Sequence, residues 1–440
     1  MKSGGTDEKP PSGVPTMRYK GLMIILDGMG DRRCPALDGQ TPLEAAVTPT
    51  LDRLAQDGIS GMVDPLLAGV PVGTHTGTGV LMGLAPVDAT QLARGPVEAA
   101  GIGLEMQPGE VALRCNFATL KKDGEGLGIE DRRAGRIREG TEELAAALRD
   151  IPLGDGITGG LYPTTQHRAV LALRGTDLSS QVTDTDPGGG RESRGVLMAQ
   201  ARYAGDATAR RTAQAVNQFV HAAHRILAQH PLNGDREARG LPPANGIITR
   251  SAGRSGALRN LLAWWGIRAS VIAGERTVVG LGRLFGFRTV HQPGFTALPT
   301  TDLDGKLAAA ATELEDHDLV FLHIKGPDIC AHDRDPLGKK SCLENIDRVL
   351  AGLARTDLVI GVTGDHSTDS NQGRHCGDPV PGLIIAPNGR RDAVTTFGES
   401  ACMAGGLGRL SATSFLISLL DAMGAIGNYT PFDREFLFPC

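Results

Sequence analysis

Three apolar runs in this chain each end on chemistry. "GLMIILDGMGD" carries Leu22–Leu26 into Asp27, "DLVFLHIKG" carries Leu319–Ile324 into Lys325, and "LVIGVTGDHSTD" carries Leu358–Thr363 into the neighbours Asp365 and His366. Apolar runs this short, without polar alternation, fit strands buried on both faces. Burial on both faces requires helices on both sides, and that favours a parallel sheet. Helical patterns lie between the runs. "TPTLDRLAQDGI" has Thr48 or Thr50 near its start and Gly58 as a stop, and "TDLDGKLAAAATELEDHD" and "RLSATSFLISLLDAMGA" are also helix-like. "NGIITRSAG" and "RASVIAG" are further apolar runs ending in turns. The expected fold is α/β, with a mostly parallel sheet covered by helices on both faces. In such sheets ligands bind beyond the carboxyl ends of the strands, so Asp27, Lys325 and Asp365 are expected along one edge.

At 440 residues the chain is long for one core, and two domains are expected, one inserted in the other. From about Gly101 to Gly240 the texture changes to Arg- and Gly-rich stretches such as "NFATLKKDGEG", "DRRAGRI", "HRAVLALRG" and "VTDTDPGGGRESRG". This middle part reads as an inserted α+β, substrate-binding domain. The expected division is a flexible tail over 1–19, a core over 20–105 and 240–440, and the insert over 106–239. The opening is Gly, Pro and charge, without the apolar stretch of a secretory signal. No segment approaches the ~18 apolar residues of a membrane span.

A net charge of −5 argues against general nucleic-acid binding, and aromatic content of 4% argues against base-stacking platforms. Neither argues against a small anionic substrate, because a local Arg cluster works inside an acidic protein. Seven Cys residues without a CxxC pair fit reduced thiols and a cytoplasmic protein.

The acids and imidazoles that follow strand-like runs form a set: Asp27, Asp328, His332, Asp365, His366 and His375. A lone Asp after a strand reads first as a turn or cap residue, and a lone DxxxH is little better. Asp328 and His332 are four apart, so a helical turn would put both on one face. Asp365 and His366 are adjacent, so extended backbone would aim them at two neighbouring ions. Mixed carboxylate and imidazole ligands suit Zn²⁺ or Mn²⁺ better than Mg²⁺ or Ca²⁺. Two such ions form a clamp for phosphoryl transfer and activate a hydroxyl nucleophile. The nucleophile candidate lies in "GVPVGTHTGTG", a Thr- and Gly-rich loop that lacks the Gly-Lys-Ser/Thr ending of a Walker loop.

"ILDGMGD…TPLEAAVTPTLDRLAQDGISG" resembles the opening of archaeal-type cofactor-independent phosphoglycerate mutases. The resemblance continues through "RGPVEAAGIGLEMQPGEVALRCNFAT", "DRRAGRI", "VTDTDP", "ITRSAG", "HIKGPDICAHD", "VTGDHST" and "DPVPGLI", nearly the whole chain after the tail. It implies an alkaline-phosphatase-like core and two-metal phosphoryl transfer without an organic cofactor. It implies one ion on Asp328, His332 and His375, and another on Asp27, Asp365, His366 and the nucleophile hydroxyl. It makes Lys325 a phosphate contact, and Arg132, Arg133, Arg136, Arg250 and Arg254 candidate clamps for phosphate and carboxylate. Guanidinium forks suit those anions.

The family's nucleophile is a Ser followed by Asp, Thr, Ala and His. Here Thr74 is followed by His75, Thr76, Gly77 and Thr78. The hydroxyl is kept, an acid is lost, and His75 stands where substrate would approach. The expectation drawn from this departure is a specialised phospho- or phosphonotransferase acting through Thr74 on a phosphoglycerate-like acid. Phosphonyl transfer toward a phosphonate natural product such as phosphinothricin is one such role. The alternatives are housekeeping interconversion of 3- and 2-phosphoglycerate, a phosphohydrolase or phosphodiesterase, and a metal-binding scaffold without activity. The expected partner is a small anionic phosphorylated or phosphonate substrate, with neither nucleic acid nor membrane.

Overall fold

The structure is a computed structural model that describes residues 19–124, 126–188, 195–254, 258–353 and 357–426. All of the expected tail but its last residue lies outside them. Two compact units are present, one formed by residues up to 91 and from 258 onward, the other by residues 92–257. The first unit opens with β1 (Lys20–Leu26) and β2 (Ile59–Asp64). The second holds β3 (Val111–Asp123), β4 (Gly126–Asp131), β5 (Ile151–Pro152), β6 (Thr158–Pro163), β7 (Arg168–Arg174) and β8 (Gly246–Arg254). The chain then supplies the first unit with β9 (Ala269–Ile272), β10 (Arg288–Val290), β11 (Leu319–Ile324), β12 (Leu358–Thr363), β13 (Ser367–Asp369), β14 (Arg374–Cys376), β15 (Val380–Ile385) and β16 (Gly408–Ser411).

The first unit is built on an eight-stranded sheet in the order β10-β9-β11-β1-β12-β15-β2-β16. From β10 to β12 all neighbours are parallel, whereas β15 runs antiparallel to both β12 and β2. β11 and β12 are buried at every position and β1 at all but its first, as a sheet covered on both faces requires. On one face Leu22, Ile24, Val320, Leu322, Ile360 and Val362 share a core with Leu51, Leu314, Leu343 and Ile346 from the helices Pro49–Asp57, Leu303–Asp316 and Pro336–Leu350. On the other face the helix Ala412–Ala422 brings Phe415 and Leu419 over Met23 and Gly361. This is the α/β core with a mostly parallel sheet that was expected.

The second unit is α+β. Its six strands pair antiparallel in the order β4-β3-β7-β6-β5, with β8 on β3. The helix Ala207–Leu227, capped by Asp206, lays Val216, Phe219 and Val220 into the same core as Leu113, Phe117 and Leu171. "NGIITRSAG", taken from sequence as part of the 240–440 core, forms β8 and pairs with β3 from Val111 to Ala118. The helix Arg94–Gly101 also belongs to this unit. The Arg94 N–H donates to Ser251 Oγ at 2.9 Å, and Glu98 meets Arg114 at 3.2 Å. The unit therefore begins at 92 and ends at 257, wider at each end than the expected 106–239.

Among the described residues no helix is long and apolar enough to cross a membrane. Cys34, Cys115, Cys330, Cys342, Cys376 and Cys402 are all free and buried.

Candidate metal centre

β11, β1 and β12 are adjacent and parallel, so their carboxyl ends share one edge. The registers Leu26–Ile324 and Ile25–Thr363 put Asp27 level with Lys325 and next to the Gly364–Asp365 turn. The helix Gly326–His332 starts directly after Lys325 and carries Asp328 and His332 one turn apart. The β13–β14 hairpin pairs Thr368 with His375 and returns that imidazole beside His366, the ring centroids 3.9 Å apart. Thr74 is the first residue of the helix Thr74–Leu81, after an extended Gly73. Two glycines permit these approaches. A Cβ on Gly77 would lie 1.9 Å from the Asp365 carbonyl oxygen. Gly28 has φ +64°, and a Cβ there would press on Asp328 and Thr368.

His332 Nε2 and His375 Nε2 are 3.0 Å apart, and they lie 3.5 and 3.6 Å from Asp328 Oδ1. Their Nδ1 atoms face the carbonyls of Gly373 at 2.9 Å and Val72 at 2.7 Å. A nitrogen held against a carbonyl carries the proton, so both Nε2 lone pairs are free to bind a cation. His366 Nε2 lies 3.3 Å from Asp27 Oδ1, 3.7 Å from Asp365 Oδ1 and 3.4 Å from Thr74 Oγ1. Lys325 Nζ donates to Asp27 Oδ2 at 2.9 Å, Asp328 Oδ2 at 2.6 Å and Thr74 Oγ1 at 3.0 Å. All six carboxylate and imidazole residues singled out from sequence therefore meet in one place, with Thr74 and Lys325 among them.

The electrostatics call for cations. Asp27, Asp328 and Asp365 are all essentially buried, and Lys325 is the ammonium among them. Burial by itself would push the Asp27 and Asp328 carboxyls up, but Lys325 and nearby imidazoles hold both below the usual carboxylate range. Burial also opposes a charged His366, yet Asp365 and Asp27 push that imidazole up to about 9. Asp365 is raised by burial and by Asp27. Three buried carboxylates share one ammonium and the His366 imidazole, and buried charge at this density is costly unless well paired. Asp328, His332 and His375 place their ligand atoms within 4.8 Å of one another, and so do Asp27, Asp328 and His366. The mixed nitrogen and oxygen donors fit Mn²⁺ or Zn²⁺ better than Mg²⁺ or Ca²⁺.

Some contributors escaped the sequence reading. His323, on β11, lies 3.1 Å from Asp27 through Nε2, and its trace in the sequence was one polar residue inside an apolar run. Thr368 Oγ1 donates to Asp328 Oδ1 at 2.7 Å and lies 3.1 Å from His366 Nδ1, orienting both ligands. Lys339 Nζ donates to Asp31 Oδ2 at 2.8 Å and to the carbonyls of Gly30 and Thr368, both at 3.1 Å. It thus ties the loop after Asp27 to the hairpin after His366.

The remaining sequence candidates are His75 and five arginines. His75 approaches Thr76 Oγ1 at 3.4 Å and belongs to none of the ligand clusters among the described residues. The five arginines lie in the second unit. Arg132 and Arg250 both face the buried Asp186 carboxylate. Arg133 and Arg136, with Arg168 and Arg114, act on the buried His167. Burial first and then these guanidinium groups push its imidazole down to about 4. Arg254 ends β8, near Gly109.

A family model described as 2,3-bisphosphoglycerate-independent phosphoglycerate mutase matches residues 55–233. The enzyme of that name from Methanopyrus kandleri is 40% identical over 426 residues, covering 94% of this chain and 99% of the relative. A second, from Archaeoglobus fulgidus, is 40% identical over 409 residues, covering 91% and 97%. Among solved structures, a protein from Pyrococcus horikoshii superposes with a TM-score of 0.79 at 31% identity, covering 94% of this chain and 100% of the other. The cofactor-independent phosphoglycerate mutase of Thermoplasma acidophilum gives 0.67 at 32% identity, covering 92% and 100%. With identity at this level over almost the full length of both partners, the chain belongs to the 2,3-bisphosphoglycerate-independent phosphoglycerate mutase family.

Proposed function

We propose that this chain interconverts 3- and 2-phosphoglycerate through a covalent phospho-Thr74 intermediate, with two divalent ions and no organic cofactor. One observation carries the reading. The Thr74 hydroxyl stands at hydrogen-bond range of Lys325 Nζ, at 3.0 Å, and beside His366 and Asp27 at 3.4 and 3.5 Å. Near-full-length likeness to relatives named phosphoglycerate mutases supports the same reading. The altered loop after Thr74 suggested phosphonyl transfer, but neither the relatives' names nor the centre's geometry favours that role, and we prefer the mutase reaction.

Asp328, His332 and His375 would hold one ion, and Asp27, Asp365, His366 and Thr74 the other. When bound, the ions supply positive charge to phosphoryl oxygens and favour an ionised hydroxyl. Thr74 Oγ1 forms a bond to phosphorus as the bond to the glycerate C3 oxygen breaks. The C2 hydroxyl oxygen then takes the group, and the bond to Thr74 breaks. Burial disfavours the Lys325 ammonium, but Asp27 and Asp328 hold its pKa above the ordinary lysine value, so it serves as fixed charge and not as a base. The β-branched Thr restricts χ1 more than Ser would, and this helps hold the hydroxyl in place.

The arginines of the second unit are proposed as the anion-binding set for the substrate acid. Anion binding among Arg133 and Arg136 should raise the His167 pKa from about 4 toward the ordinary imidazole value. An NMR titration with 3-phosphoglycerate reads this, and an unchanged His167 curve at saturation counts against the assignment. At the metal centre, Gly77→Ala drives a methyl into the Asp365 carbonyl. We expect it to weaken Mn²⁺ binding about 10-fold or more by calorimetry; unchanged affinity would mean that the approach is not needed.

The function itself is tested with 3-phosphoglycerate and Mn²⁺ in the absence of 2,3-bisphosphoglycerate. Accumulation of 2-phosphoglycerate, abolished by chelation, is the expected result. Stoichiometric release of inorganic phosphate instead would support the hydrolase alternative.

A further inference from the structure

We propose that His323 is a further cation ligand, closing with Asp27 and Asp365 a site that the ligand set implied by the family resemblance does not contain. The proposal rests on the metal reading above. His323 is fully buried at the end of β11; its Nδ1 has no hydrogen-bond partner, and its Nε2 faces a carboxylate. A buried imidazole with one nitrogen unsatisfied and the other turned to a carboxylate calls for an explanation, and an ion is one. The ring is aimed at carboxylates. Nε2 is 3.1 Å from Asp27 Oδ2, and the ligand atoms of Asp27, His323 and Asp365 all lie within 4.8 Å of one another.

Asp27 is divided between two surroundings. Its Oδ1 faces Thr74 and His366, whereas Oδ2 faces Lys325 and His323. Asp365 takes its hydrogen bonds from neutral donors, the Gly28 N–H at 3.2 Å and the Thr78 hydroxyl at 2.8 Å. Two carboxylates and one imidazole therefore converge within ligand spacing of one another. That donor set suits Zn²⁺ or Mn²⁺ better than Mg²⁺.

The direct test uses crystals of the full chain loaded with Zn²⁺ and diffraction data at the zinc edge. The expected result is an anomalous peak about 2.0–2.2 Å from His323 Nε2, in bonding range of Asp27 and Asp365. Peaks at His332, His375 and His366 with none near His323 overturn the proposal and leave the metal reading standing. No peak at any of these residues overturns both. In solution, His323→Gln keeps a polar side chain. It should weaken one class of bound Zn²⁺ about 10-fold or more in equilibrium dialysis, while the class on His332 and His375 stays unchanged. Unaltered binding of every class, in a variant that melts like the wild type, contradicts the assignment.

Discussion

Thr74→Ala is expected to lower the conversion of 3-phosphoglycerate by a factor on the order of 10,000 or more while the ion on Asp328, His332 and His375 is retained. The hydroxyl is the atom proposed to bond to phosphorus, and loss of a nucleophile that forms a covalent intermediate has effects of this size. The neighbouring groups keep other partners without it. Lys325 keeps Asp27 and Asp328 as partners, and the Asp328, His332 and His375 cluster lacks Thr74 altogether. Thr74→Ser retains the hydroxyl and should keep turnover within about 10-fold, its cost being a freer χ1. A coupled assay for 2-phosphoglycerate, with elemental analysis of the purified variants, separates loss of chemistry from loss of metal. An Ala variant that turns over at the wild-type rate would remove Thr74 from the mechanism.

Lys339→Met is expected to destabilise the fold by roughly 3–5 kcal/mol, the usual cost of leaving one member of a buried ion pair unpaired. Lys339 and Asp31 side chains are both fully buried, with Nζ 2.8 Å from Oδ2. Met fills similar space but leaves the Asp31 carboxylate without its ammonium, and the Gly30 and Thr368 carbonyls without their donor. The double variant Lys339→Met with Asp31→Asn should recover part of the loss, because it removes both charges. Chemical denaturation measures both. A single variant as stable as the wild type to within about 1 kcal/mol would show that the pair carries little. The tie holds the loop from Asp27 against the hairpin from His366, so the single variant should also bind Mn²⁺ more weakly.

Much of this centre could be read from the sequence because parallel strands impose a simple rule. Buried on both faces, they appear as apolar runs, and the residue after each run stands at one shared edge. Asp27, Lys325 and Asp365 follow that rule, and the four-residue spacing of Asp328 and His332 adds the helical turn. Pairing was harder to read. An apolar run marks a strand but not its partner, so β8 was assigned to the wrong unit, and the reversed β15 left no mark of its direction. His323 was hidden for the opposite reason, since it lies inside a run where a single polar residue reads as core. The arginines showed charge without geometry, and only the fold shows that Arg132 and Arg250 share Asp186 and that Arg133 and Arg136 act on His167.

The covalent step can be read directly. Mn²⁺-loaded protein is mixed with 3-phosphoglycerate, quenched in acid at successive times, digested and examined by peptide mass spectrometry. Phosphate on Thr74 that appears and decays no more slowly than turnover is the expected result. Steady formation of 2-phosphoglycerate with the phosphate on another residue would contradict it.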